Sequence, residues 1–205
     1  MEPTTQATMD GSGARRALVG LMAVQGFVGY EWFMSGLAKL WRGGFAAGLA
    51  TELTDKSQGV SGWYRTLLDD IIIPHAWLVG WVVLVAELAI GLSLIGAAIA
   101  WARWGHRLSW VAWTSVLALT AVASLGATFL NINFHLANAS PHPWLIPKDG
   151  FDQGVDLDSL LPMVQLVLFA ISARLLGATR RNRRRLRDLR AGAATDPSSA
   201  ERSSV

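Results

Sequence analysis

Residues 76–101 read AWLVGWVVLVAELAIGLSLIGAAIAW, a run whose one ionisable side chain is Glu87. A helix of about 20 residues at 1.5 Å per residue crosses the roughly 30 Å of bilayer hydrocarbon. Helix also pairs every backbone group internally, whereas an open strand would leave N–H and C=O groups bare in lipid. Pro74 bounds the run on one side and Arg103 on the other. Three further stretches follow the same pattern: Ala17 to about Lys39, about Leu108 to Phe134, and Ser159 or Leu160 to Ala178. The expected fold is an all-α membrane protein built as a four-transmembrane-helix bundle.

Composition points the same way. Hydrophobic residues make up 52% of the 205 and charged ones 16%, with a mean hydropathy of +0.33. A soluble domain carries about 25% charged residues. So short a chain cannot cover such apolar stretches with its own surface, so lipid serves as the solvent. The formal charge of +3 and pI near 9.8 suggest nucleic acid at first sight. The basic excess, however, lies largely in one run from Arg180 to Arg190, directly after an apolar segment. That position marks topology and contact with anionic lipid, and no nucleic-acid partner is expected. Cysteine is absent, which excludes disulfides, cysteinyl iron–sulfur clusters and zinc–thiolate sites in this chain.

Orientation follows from Lys and Arg in the short loops. Arg15 and Arg16 precede the first span, Arg103 and Arg107 follow the second, and the arginine cluster follows the fourth. The other two loops are long and acidic, with Glu52, Asp55, Asp69 and Asp70 in one and Asp149, Asp152, Asp156 and Asp158 in the other. This predicts an N-in/C-in topology, both termini cytoplasmic, in a multi-pass protein of a bacterial plasma membrane. Residues 1–14 read as a disordered lead, 15–178 as the membrane domain and 179–205 as a basic, then disordered, tail. In the first outer loop, Phe45–Leu53 and Trp63–Ile73 read as short interfacial helices; the second, with Pro141, Pro143 and Pro147, reads as irregular. Trp41, Trp77 and Trp144 fit an outer aromatic belt and Trp101, Trp104 and Trp110 an inner one. Trp32, Trp81 and Trp113 lie deeper and suit packing between helices.

Ionisable groups inside a span cost about 2.5–3.5 kcal/mol each on insertion scales, so they are candidates for function. Glu31 and Glu87 stand out. Placing the middles of their antiparallel helices near Val28 and Ala89 puts both at one depth, together with Gln165 and Ser124. Asn131, Asn133, His135 and Lys39 fall nearer the outer surface, so the outer half of the bundle is expected to be polar. A structural alternative has Glu31 pairing with Lys39 through Ser35, at helical spacings of four, and Glu87 protonated between helices. Haem needs axial ligands such as paired histidines at membrane depth, but His75, His106, His135 and His142 lie in loops or at helix ends. No glycine-rich nucleotide or flavin motif is present, and the spacing of His135 and His142 matches no standard metal site, so no metal is expected.

Three segments resemble the DoxX-like family: Gly36-Leu37-Ala38-Lys39-Leu40, Glu87-Leu88-Ala89-Ile90-Gly91-Leu92 with Leu94-Ile95-Gly96, and Asn131-Ile132-Asn133-Phe134. The resemblance runs from about Arg16 to Gly177. It implies a four-helix membrane bundle similar to the membrane subunit (DoxD) of a thiosulfate:quinone oxidoreductase, which works with a small partner protein. The small DoxA-type partner has no counterpart in this chain. A quinone is the cofactor this suggests, with Glu87 and Glu31 handling protons and Gln165, Asn131, Asn133, His135 and Lys39 contacting the ligand. A non-catalytic scaffold or assembly subunit of a respiratory or oxidative-stress complex is the competing expectation. Both call for partner protein subunits.

Overall fold

The computed structural model describes residues 11–60, 62–105, 107–138 and 157–195, and every element among them is helical. The chain forms α1 (Gly11–Arg42), α2 (Phe45–Ser57), α3 (Trp63–Leu67), α4 (Ala76–Trp104), α5 (Trp110–Ala137) and α6 (Leu157–Thr195). Among the described residues, three helical stretches are long and apolar enough to cross a membrane: Trp63–Trp104, Trp110–Ala137 and Leu160–Leu189. The first helix is interrupted by Gln25, Glu31, Ser35, Lys39 and Arg42. It nevertheless packs along α4, which packs on α5, which packs on α6, with a thin contact returning from α6 to α1.

The outward faces are apolar, as lipid demands. Val82, Val85, Leu92 and Ile99 of α4 and Val122 and Phe129 of α5 are all exposed. Inside, Val28, Trp32, Leu94, Ala127, Leu161 and Leu168 form one core shared by four helices. The α1–α4 contact is close because small residues face backbone. A Cβ placed on Gly91 would lie 2.5 Å from the Phe33 nitrogen and 2.6 Å from its Cα. Gly29 and Gly36 are held almost as tightly against Leu94 and Leu88.

Two residues turn the chain from α1 into α2. Gly43 and Gly44 both have positive φ, 67° and 74°, a region glycine enters without steric cost. α2 then lies across α4, Ala46 against Gly80. The second short helix of the first loop is not a separate interfacial element. α3 passes through a π-helical turn (Leu68–Ile72) and a 3₁₀ turn (Ile73–His75) straight into α4. Pro74 explains the irregular turns, since it removes an N–H and its ring crowds the carbonyl four residues back. A second core of Leu53, Val60, Tyr64, Leu68 and Ala137 fixes this cap over one end of the molecule.

The other end carries the arginines. Instead of stopping at Ala178, α6 continues through the basic run to Thr195. Arg183 stacks over the Trp110 ring at 3.8 Å, and Trp113, packed on Trp101, donates to the Thr179 hydroxyl at 3.3 Å. The readings made for residues 1–10, for the second outer loop with Trp144 and His142, and for residues 196–205 lie outside the described residues.

Candidate functional site

Glu87 sits in the middle of an apolar helix with 0% of its side chain exposed. A lone carboxylate there would be expensive, and it is not alone. Lys39 reaches across from α1 and pairs with its Oε1. Lys39 also donates to Ser35 Oγ at 3.1 Å, and Ser35 donates to Glu87 Oε2 at 3.3 Å. The three side chains thus close a ring between two helices. The tight glycine contacts just below bring the backbones near enough for it. Lys39 and Ser35 are two residues of the local trio expected on α1, and both turn to the neighbouring helix.

Aromatic rings complete the surroundings. Lys39 Nζ lies 5.1 Å from the Phe45 ring centre and 5.6 Å from that of Phe134. Their negative faces favour a cation, which suits an ammonium that is 24% exposed beside a fully buried carboxylate. Phe45 opens α2, so the glycine turn after α1 is what places it there.

On the far side of the core, Asn131 of α5 donates to Gln165 Oε1 of α6 at 3.0 Å. Gln165 is 0% exposed, and its amide nitrogen has no hydrogen-bond partner among the described residues. Gly126 packs against Ile90, which ties the level of α5 to that of α4. One turn toward the cap from that contact stand Glu87 on one helix and Leu130 and Asn131 on the other. The Lys39–Glu87 and Asn131–Gln165 pairs therefore share a level.

Glu31 and Ser124 do not join them, which corrects the single layer expected from span middles. Phe33 faces Gly91, so Glu31 lies two residues to one side of that contact and Glu87 four to the other. That separates the carboxylates by about 9 Å along the axis. Span middles match in depth only when helices are equally centred; the glycine contacts shift α1 so that its capped end, not its middle, meets Glu87. Ser124 sits two residues below Gly126, near the lower level, where Glu31 is half-buried.

Asn133 and His135 have other surroundings. The Tyr64 hydroxyl of the cap lies 3.0 Å from the Asn133 carbonyl and 3.3 Å from its Oδ1, and Asn133 Nδ2 donates to Phe129 O at 2.8 Å. His135 is buried one turn beyond Asn131. No group of three or more metal-ligating side chains is gathered among the described residues.

Several interior polar groups had no role assigned from sequence. Gln25 donates to Leu94 O at 3.1 Å and to Thr120 Oγ1 at 3.3 Å. Trp32 Nε1 and Ser124 Oγ are buried without partners among the described residues. For those on α5 the signal is spacing: Thr120, Ser124, Thr128, Asn131 and His135 recur every three or four residues and all line one face of that helix. No family model matches the chain, and no curated protein or solved structure matches it.

Proposed function

We propose that the chain is a DoxX-like membrane subunit of a redox or respiratory complex, working with a partner protein and binding a quinone headgroup at the Lys39–Glu87 level. In this reading it spans the plasma membrane four times with both termini cytoplasmic, and the capped end with its polar level faces outward. The observation that carries it is the Gln165 amide, fully buried, oriented by Asn131 and left with unused N–H groups at the height of an ion pair. A quinone carbonyl accepts hydrogen bonds, and reduction requires protons near it. Glu87 and Lys39 are proton-handling groups there; Gln165 and Asn131 are the polar contacts. The three segments behind the family resemblance contribute Lys39, Glu87 and Asn131, which supports reading them as one site.

The test is the protein purified with its partner in native lipid, extracted for quinone and assayed for electron transfer. Glu87→Gln and Gln165→Leu are expected to lower both bound quinone and turnover. Wild-type values in both variants would end the quinone reading. The cysteine-free chain also allows the topology to be read with single introduced cysteines and an impermeant thiol reagent.

One observation favours the scaffold reading. Lys39, Ser35 and Glu87 satisfy one another, as a purely structural clamp would. A stoichiometric partner copurifying without quinone or redox activity would decide for it.

A further inference from the structure

The interior holds more polar atoms than it pairs. Buried polar groups are partnered in roughly nine cases of ten, and each one left bare costs about 1–3 kcal/mol. Here Trp32 Nε1, Ser124 Oγ and Gln165 Nε2 all lack partners among the described residues, on side chains at most 2% exposed. They are not scattered. Trp32 shares one core cluster with Ala123 and Ala127, the neighbours of Ser124 on α5, and with Leu161 and Leu168, one turn on either side of Gln165 on α6.

The same face of α5 carries a ladder of polar side chains. Thr120, Ser124, Thr128 and Asn131 are spaced four, four and three residues apart, and the first three are buried. A four-residue step rises about 6 Å, the reach of two hydrogen bonds of about 2.9 Å joined through one water. At the lower end of the ladder lies a cavity with about 10 Å³ of room for a water centre, lined in part by Gln25, Thr120 and Ser172. That is just enough for one molecule. Gln25 directs its amide nitrogen to Leu94 and Thr120, and the cavity's lining adds the Ser172 hydroxyl. At the upper end, Asn131 and Gln165 stand level with Lys39 and Glu87.

We infer that this ladder holds a file of bound water running from the Gln25–Thr120–Ser172 cavity to the Asn131–Gln165 pair, and that it carries protons to the level at which Lys39 and Glu87 stand. Thr120 and Thr128 donate to the Val116 and Ser124 carbonyls, which leaves their oxygens to act as acceptors, that of Thr120 already taking one bond from Gln25, while Ser124 and Gln165 supply donors. A proton entering at Ser172 moves by successive hand-over between waters and the Ser124 hydroxyl, each accepting one proton and releasing another. The file complements the quinone site as a proton supply, but its existence depends on water alone and is measurable without quinone or partner.

The experiment uses the full chain, ¹⁵N-labelled at glutamine, in lipid nanodiscs transferred to D₂O. The Gln165 side-chain amide is identified by its loss in Gln165→Met. It is expected to exchange within minutes despite complete burial, and to show magnetisation transfer from water. Ser124→Val narrows the file below Gln165 and should slow that exchange at least ten-fold; Ser172→Ala, a milder change at the entrance, should slow it several-fold even if the valine variant misfolds. Protection lasting days in the unaltered protein would mean a dry core and overturn the inference. So would fast exchange that neither variant slows, because water would then be entering from the capped end.

Discussion

Between α1 and α4 the polar side chains find one another; along α5, where α6 and α1 face it, several do not. The first interface is drawn tight by Gly29, Gly36 and Gly91, so Lys39 and Ser35 meet Glu87 and Gln25 reaches a backbone carbonyl. The second includes Asn131–Gln165 and Trp113–Thr179 but leaves Ser124 and one nitrogen of Gln165 bare. In lipid no hydrophobic force drives helices together, so close approach depends on small residues and internal polar contacts. The closed interface is built to hold, and the unsatisfied one has capacity left for a guest.

The largest way to break this contrast is to split the ion pair. Lys39→Met would leave Glu87 buried with no countercharge, a change that costs about 3–5 kcal/mol in buried pairs and here belongs at the lower end because Lys39 is partly exposed. The double variant Lys39→Met/Glu87→Leu should recover most of that loss. Reversible unfolding in mixed detergent micelles measures both. A single variant costing under about 1 kcal/mol would show that the pair does not hold α1 to α4.

Next comes the glycine contact. Gly91→Ala puts a methyl into the backbone of Phe33, which cannot swing aside, and overpacking of this kind costs about 1–3 kcal/mol. Gly96→Ala on the same helix meets nothing within 4 Å and is expected to change stability by less than about 0.5 kcal/mol. Equal effects at the two positions would remove the argument that close packing sets the α1–α4 register.

The sequence showed the helices well and their register poorly. Long apolar runs with clustered basic flanks identify α4, α5 and α6, because lipid leaves few alternatives to helix. Glu87 and Gln165 were placed at one depth from span middles, and the contacts put them there. Glu31 was placed at that depth too, and it lies about 9 Å below. The difference lies in what fixes height. A span's apolar middle is broad, whereas a Cβ-free contact such as Gly91 on Phe33 fixes it closely, and nothing in one sequence says which glycine meets which residue. Lys39 was hidden for a similar reason. Its spacing from Ser35 and Glu31 suggested a local trio, and only the packed pair of helices shows that Glu87 competes for it. The continuous passage from α3 into α4 was hidden by Pro74, which reads as a boundary yet is accommodated by π and 3₁₀ turns.

The α5–α6 side offers a smaller test. Asn131→Leu strips Gln165 Oε1 of its donor and should cost about 1–2 kcal/mol, whereas Gln165→Met removes a group already half unsatisfied and should cost less. The reverse order in the same unfolding assay would mean that the glutamine rather than the asparagine holds the helices.

The smallest expected effect lies at the arginine end, where the charges are exposed and one is set apart from its neighbours. Arg183 stacks on Trp110 at 3.8 Å, tying the far part of α6 to the start of α5. At a partly exposed position such a contact is worth about 0.5–1 kcal/mol. Arg183→Gln should lose that amount, while Arg184→Gln, with the same change in charge, should lose nearly nothing. Trp110 fluorescence, taken as the difference from a Trp110→Phe background because the chain has ten tryptophans, would resolve the pair where unfolding curves barely separate. Its shift in Arg183→Gln alone marks a specific clasp; an equal shift in both variants would reduce the arginines to a uniform basic collar. In that case the two ends of the molecule would differ in kind, one organised residue by residue and the other by charge alone.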